Sequence, residues 1–193
     1  GANSIAVLAF ANTALSSAAS MVVWMLIEAL VQKKCTVMGA VTGGIVGLVG
    51  ITPGAGYVPL WSSLIIGATA APICYLAISK MKKKFGYDDA LDAFGCHGVG
   101  GIWGGICTGL FCKVSINDIG QGNGLFFGDI HLFLVQLASI GITIVVSVAG
   151  TLICYGITRL VTGKIRVTER EERVGLDRSQ HGESAYPSFN GLD

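Results

Sequence analysis

Residues 1–27 contain no charged side chain, and four later stretches are almost as free of charge. Together they define five apolar segments, approximately 4–31, 36–53, 60–80, 90–112 and 132–162. Crossing a hydrocarbon layer of about 30 Å takes about 20 helical residues, so each segment is long enough to span one. A chain in lipid satisfies its backbone hydrogen bonds within each span, which selects helices. The expected fold class is therefore all-α integral membrane: a transmembrane helix bundle over residues 1–163, followed by a polar tail, 164–193.

Composition points to the same solvent. Hydrophobic residues make up 52% and charged residues 13% of the 193, and the mean hydropathy is +0.66. An ordinary soluble domain is about a quarter charged. Glycine contributes 28 residues, which suits helices that must pack backbone to backbone where lipid supplies no hydrophobic drive. The first segment offers Asn12 and a ladder of small residues from Ala14 to Ser20; the second offers Gly43, Gly44, Gly47 and Gly50. The six cysteines form no CxxC pair and read as small packing residues, with neither a disulfide framework nor a metal cluster expected. No nucleic-acid partner is expected.

The connections set an orientation. Lys33 and Lys34 follow the first segment, and Lys80, Lys82, Lys83 and Lys84 follow the third, whereas ITPGAGYVPLW (51–61) carries no charge. By the positive-inside rule the lysine loops are cytoplasmic, which puts the first residue outside and the tail in the cytoplasm. An odd number of spans, no initiator Met and almost nothing before the first segment suggest part of a larger protein.

The chemistry concentrates in DAFGCHGVGGIWGG (92–105). Glycine costs about 0.5–1 kcal/mol in a helix interior, and a buried imidazole needs a partner. At 100° per residue, Ala90, Ala93, Phe94, His97, Gly101, Gly104 and Thr108 share one side, so the imidazole projects from a nearly bare face. That arrangement suits either a packed polar contact or a passage, and intramembrane ionisable groups generally line pathways. A neutral imidazole donates at one nitrogen and accepts at the other, and can hand along a small polar molecule without trapping it. Asp88, Asp89 and Asp92 read as helix-start residues that cap and orient. Thr52 before Pro53 reads as a helix end. Trp24, Trp61, Trp103 and Tyr57 read as interface anchors or packing.

There is no phosphate loop, HExxH helix, nucleophile elbow or pair of mid-span histidines for a haem, so no enzyme, metal or cofactor is expected. Within the tail, Val167, Val174, Leu176, Tyr186 and Phe189 are spaced apolar anchors, and docking and solvation are equally consistent with them.

The chain resembles ammonium transporters of the Amt/Mep/Rh family. The resemblance is carried by ANSIAVLAFANT (2–13), GAVTGGIVGLVGITPGAGYV (39–58), DDALDAFGCHGVGGIWGGICTGLF (88–111), HLFLVQLASIGITIV (131–145) and REERVGLDRSQHGESAY (170–186). It implies a C-terminal half, spans seven to eleven of an eleven-helix inverted-repeat fold, in a plasma-membrane homotrimer with one pore per subunit. His97 then matches the second of the family's paired pore histidines; Ala93 and Phe94 match lining positions beside it, and Thr52 a position approaching the same lumen. The first histidine, the phenylalanine gate and the recruitment serine would lie upstream of Gly1. The implied function is ammonium or ammonia transport, with a P-II-type nitrogen-regulatory protein as a tail partner. A sensor signalling through the tail is the alternative.

Overall fold

Asn3 opens the first helix: its backbone is extended and its side-chain carbonyl accepts the Ala6 N–H at 2.9 Å. In the computed structural model, which describes residues 1–120 and 122–185, this helix is α1, Ser4–Val31. Thr36 caps α2, Val37–Ile51, by accepting from Gly39 at 2.8 Å. Helix α3, Leu60–Phe85, starts at Pro59 and contains Pro72; its α-helical part, Leu60–Leu76, passes through a π turn, Ala77–Met81, before closing at a left-handed Gly86. Helix α4 covers residues 94–111, beginning as a π segment, Phe94–Val99, and continuing as Gly100–Phe111. A long loop with a short turn at Leu125–Phe127 leads to α5, Ile130–Thr162, and the short α6, Glu169–Val174, follows. Two compact units divide at Thr143 and Ile144.

In the first unit, α1 packs on α2 and α3 through a polar inner face. Asn12, Ser16, Ser20, Trp24 and Glu28, spaced every four residues, are all buried. The approach is as close as backbones allow: a Cβ added at Gly67 would lie 2.1 Å from the Ser16 carbonyl oxygen, and one at Gly47 would lie 2.4 Å from it. The Ser16 hydroxyl donates to Gly47 O at 2.8 Å and Ser17 to Gly44 O at 3.1 Å. Small residues thus exchange side-chain volume for interhelical hydrogen bonds and dispersion, the terms that hold helices together in lipid. Above and below this crossing sit two apolar clusters. Trp24, Val46, Ala70, Ala71, Cys74 and Cys96 form one, and Ile51, Val58, Ile66, Cys107 and Phe111 the other.

Polar anchors tie the loops to this core. Asn12 Nδ2 donates to Ala55 O at 2.8 Å and Val58 O at 3.0 Å, holding the uncharged α2–α3 loop. At the other end of α1, buried Glu28 accepts from the Thr36 N–H at 2.8 Å, placing a carboxylate at the N-terminus of α2 where the helix dipole favours it. The loop after α4 is fixed by Lys113 N–H to Tyr57 O, 2.9 Å, and by stacking of Phe126 on Phe111 at 5.0 Å.

No residue of α5 is buried. Its first turns meet α4 where Gly105 faces Ile140 and Gly109 faces Phe133. In the second unit, α6 carries a capping box, with Thr168 and Glu171 satisfying each other's backbone N–H groups. Gln180 Nε2 reaches Glu171 at 2.8 Å, and Ala185 N–H reaches Asp177 at 3.0 Å. Val174 and Leu176 are exposed, 52% and 45%, and Val167 is half-buried; Tyr186 and Phe189 lie outside the described residues.

Gly67→Ala places a methyl group against the Ser16 carbonyl and is expected to cost about 1–3 kcal/mol, read as a lowered unfolding midpoint in detergent. In the tail, hydrogen bonds from the Thr168 side chain and backbone hold Glu171 below the usual carboxylate range, and the Ala185 and Arg178 amides do the same for Asp177. Carboxyls depressed by folding stabilise the folded form above their unfolded pKa, about 4, and lose that contribution as pH falls through the folded value. Amide exchange around residues 168–185 is therefore expected to accelerate at acid pH below about 4 relative to its intrinsic rate. A protection profile flat across that range would contradict the assignment.

Candidate functional site

The start of α4 is built by carboxylates from the preceding loop. Asp89 accepts from the Ala93 N–H at 2.9 Å with one oxygen and from the Phe94 N–H at 2.8 Å with the other. Asp92 adopts a left-handed backbone, φ 54°, and its carboxylate pairs with Lys82 of α3 at 2.7 Å. The Lys82 ammonium also donates to the Asp89 carbonyl at 2.5 Å. One lysine therefore ties the end of α3 to the turn from which α4 rises. The lysine run gave a signal only for topology, and a partner ten residues away has no helical periodicity to reveal it.

Helix α4 has two unlike faces. Toward α2 it is packed: a Cβ on Gly104 would lie 2.4 Å from Gly50 O and 3.0 Å from Pro53 Cδ, and one on Gly100 would lie 3.2 Å from Val49. Toward α3, Gly95 meets Ile78, and Trp103 Nε1 donates to the Thr69 hydroxyl at 3.0 Å. Away from both, Ala93, Phe94 and His97 are exposed, and a Cβ added at Gly101 would meet nothing within 4 Å. Among the described residues the exposed His97 imidazole has no hydrogen-bond partner. Phe94 is positioned by an edge contact with Tyr87, 5.6 Å between centroids, and its ring lies over Gly98.

The single stripe expected from Ala90 to Thr108 does not hold along its length. Ala90 precedes the helix, which begins at Phe94, and Gly104 and Thr108 are buried against the end of α2, with Thr108 donating to Gly104 O at 2.9 Å. The cause is what packs at each level: Gly101, Gly104 and Thr108 keep the 100° register within the regular part, Gly100–Phe111, but the end of α2 reaches the level of Gly104 and Thr108 and leaves that of Gly101 uncovered. The open strip is therefore shorter: Ala93, Phe94, His97 and Gly101.

Thr52 is exposed at the C-cap of α2, its hydroxyl donating to Leu48 O at 2.7 Å. Its backbone stays helical, φ −49° and ψ −46°, although a proline follows, because its N–H still bonds Leu48 and Val49. It adjoins Pro53, which touches the Gly104 region of α4, and Gly104 lies two turns beyond His97. The structure thus brings Thr52 to the same helix as His97 without contact between the two.

Replacing Asp89 by Ala leaves two helix-start N–H groups without their acceptor and is expected to cost about 1 kcal/mol, with Asn, which keeps one oxygen, intermediate. Thermal unfolding of the three forms checks this order.

The model of the Ammonium Transporter Family matches residues 1–186. The chain is 48% identical over 182 residues to an ammonium transporter of Bacillus subtilis, covering 94% of this chain and 45% of that protein. It is 42% identical over 186 residues to an ammonium transporter of Aquifex aeolicus, covering 96% of this chain and 43% of that protein. Among solved structures, Mep2 of Candida albicans superposes with a TM-score of 0.77 at 32% identity, covering 86% of this chain and 38% of that one. The all-helical bundle matches part of that membrane fold, and the chain spans less than half the length of the curated relatives it matches.

Proposed function

Because this chain belongs to the Ammonium Transporter Family, whose model matches residues 1–186, we propose that it forms the C-terminal half of a transporter that moves ammonium or ammonia across the plasma membrane. The observation that carries this reading is the open strip of α4, where an unpartnered imidazole stands beside Gly101 and empty space, while the opposite face of the helix is tightly packed. The rest of the transporter closes that strip into a lumen, with His97 at its centre and Ala93, Phe94 and Thr52 lining it.

The chemistry follows from the solvent. Moving an intact ion through a dry channel forfeits hydration worth many kcal/mol, whereas neutral ammonia needs little more than a donor and an acceptor. An imidazole supplies both from one ring. Glycine at 101 leaves the width, and Phe94, held by Tyr87, narrows the strip next to it. Asp89, Asp92 and Lys82 act at a distance by fixing where the π segment begins.

The same reading gives the orientation and assembly. The lysine-bearing ends of α1 and α3 and the tail are cytoplasmic, and the start of α1 is outside. Helix α5 has no buried residue, and past the turns that meet α4 it lies against surfaces outside this chain or against lipid, as a homotrimer requires. The capped tail is a compact cytoplasmic element with exposed Val174 and Leu176, suited to a neighbouring subunit or a P-II-type regulator.

In the complete transporter reconstituted in vesicles, His97→Ala removes the donor and acceptor and is expected to change ammonium or methylammonium uptake by about tenfold, the scale of one lost hydrogen bond. Unchanged rate, selectivity and charge movement would remove His97 from conduction.

A further inference from the structure

Asn12 stands eight residues after Ser4 in α1, about 12 Å along the axis at about 1.5 Å per residue, and is fully buried. Its Nδ2 donates twice, and both bonds go to the α2–α3 loop: Ala55 O at 2.8 Å and Val58 O at 3.0 Å. Its Oδ1 has no partner among the described residues, so the amide serves the loop alone. The remaining carbonyls of residues 54–58 are also taken. Gly54 O accepts the Tyr57 and Val58 N–H groups at 2.8 and 3.1 Å, Gly56 O accepts Asn117 Nδ2 at 3.2 Å, and Tyr57 O accepts the Lys113 N–H at 2.9 Å. A loop open to water can leave such groups to solvent, whereas one set among membrane helices must find its partners in protein. The loop in turn bears on α4. A Cβ on Gly54 would lie 3.0 Å from the Thr108 hydroxyl, and Pro53 Cδ stands 3.0 Å from the Cβ position of Gly104. Gly54 N–H bonds Ile51 O at 2.9 Å, closing the turn that carries the exposed Thr52.

We propose that Asn12 is a positioning residue for substrate approach: without touching the substrate, its amide fixes the turn at 53–58, and through that turn both Thr52 and the outer half of α4. The role rests on the reading above, in which Thr52 and the open strip line one lumen. The choice of residue follows from the geometry. One planar amide carries two N–H donors, enough for two carbonyls three residues apart; a serine supplies one donor and an aliphatic side chain none. Asn117, from the loop after α4, holds the same turn at Gly56. Loosening the turn changes how substrate reaches the strip and leaves the imidazole as it is. The effect therefore falls on half-saturation and on discrimination by size, with the saturated rate retained, the signature of a binding contribution shared by ground and transition states.

The test uses the complete transporter in vesicles. Asn12→Ala is expected to raise the ammonium concentration for half-maximal uptake roughly threefold to tenfold, the worth of one displaced hydrogen-bonding position, with the maximal rate within about twofold. Preference for ammonium over methylammonium should fall with it. Asn117→Ala, which frees only Gly56 O, should move both quantities in the same direction by less. Ser17→Ala removes an α1 hydrogen bond to Gly44 O, away from the loop, and should lower the unfolding midpoint while moving neither. Hydrogen exchange gives a readout independent of transport: the amides of residues 54–58 should exchange faster in Asn12→Ala. Three results would each overturn the proposal and leave transport standing: amides that keep their protection, a loosened loop with half-saturation and discrimination unchanged, or an equal shift in Ser17→Ala. If Asn12→Ala does not fold, unchanged uptake in Asn117→Ala overturns it alone. Absence of ammonium uptake by the unaltered transporter overturns the reading of the strip and this role together.

Discussion

Everything in the first unit depends on the contact of the Ser16 carbonyl with the backbones of α2 and α3. In lipid, apolar side chains gain little by leaving one hydrocarbon surface for another, so helices associate when their backbones come close enough for dispersion and hydrogen bonds to accumulate. Gly47 and Gly67 make that possible from two sides of the same carbonyl, and the Ser16 and Ser17 hydroxyls convert the approach into hydrogen bonds. The apolar clusters around Val46 and Ile66 fill the space such a crossing leaves.

From that crossing, geometry is passed outward to α4. Gly50 and Pro53 at the end of α2 receive Gly104, Ile78 on α3 receives Gly95, and the Lys82–Asp92 pair fixes the turn between α3 and α4. With two sides of the helix occupied, His97 is left on the third. Gly104 and Thr108 lie further along the same stripe, at the level that the end of α2 covers, so its first part, with the imidazole and Gly101, stays open.

Much of this was legible in the residues. The five apolar stretches correspond to α1–α5, with boundaries displaced where capping or a π turn intervened: α3 extends to Phe85 rather than 80, and α4 begins at 94 rather than 90. Asp89 stands before an apolar run, where a carboxylate can meet free N–H groups, and it accepts from Ala93 and Phe94. Lys82, Glu28 and Asn12 were not legible as anchors, because each acts across a loop or on another helix, at separations with no fixed spacing. The membership of the family, through the matched residues 1–186, agrees with the resemblance carried by the histidine block.

The sequence by itself determined the solvent, the helices and the chemical repertoire: charge-free runs of membrane length can satisfy their backbones in lipid only as helices, and one histidine stands within them. Which face of that histidine's helix stays open was decided only in three dimensions. Local periodicity says which residues share a face and not which neighbours arrive at each level; the choice between buried and open faces is made by contacts from α2 and α3, Gly50 and Pro53 on Gly104 and Ile78 on Gly95, at separations with no fixed spacing.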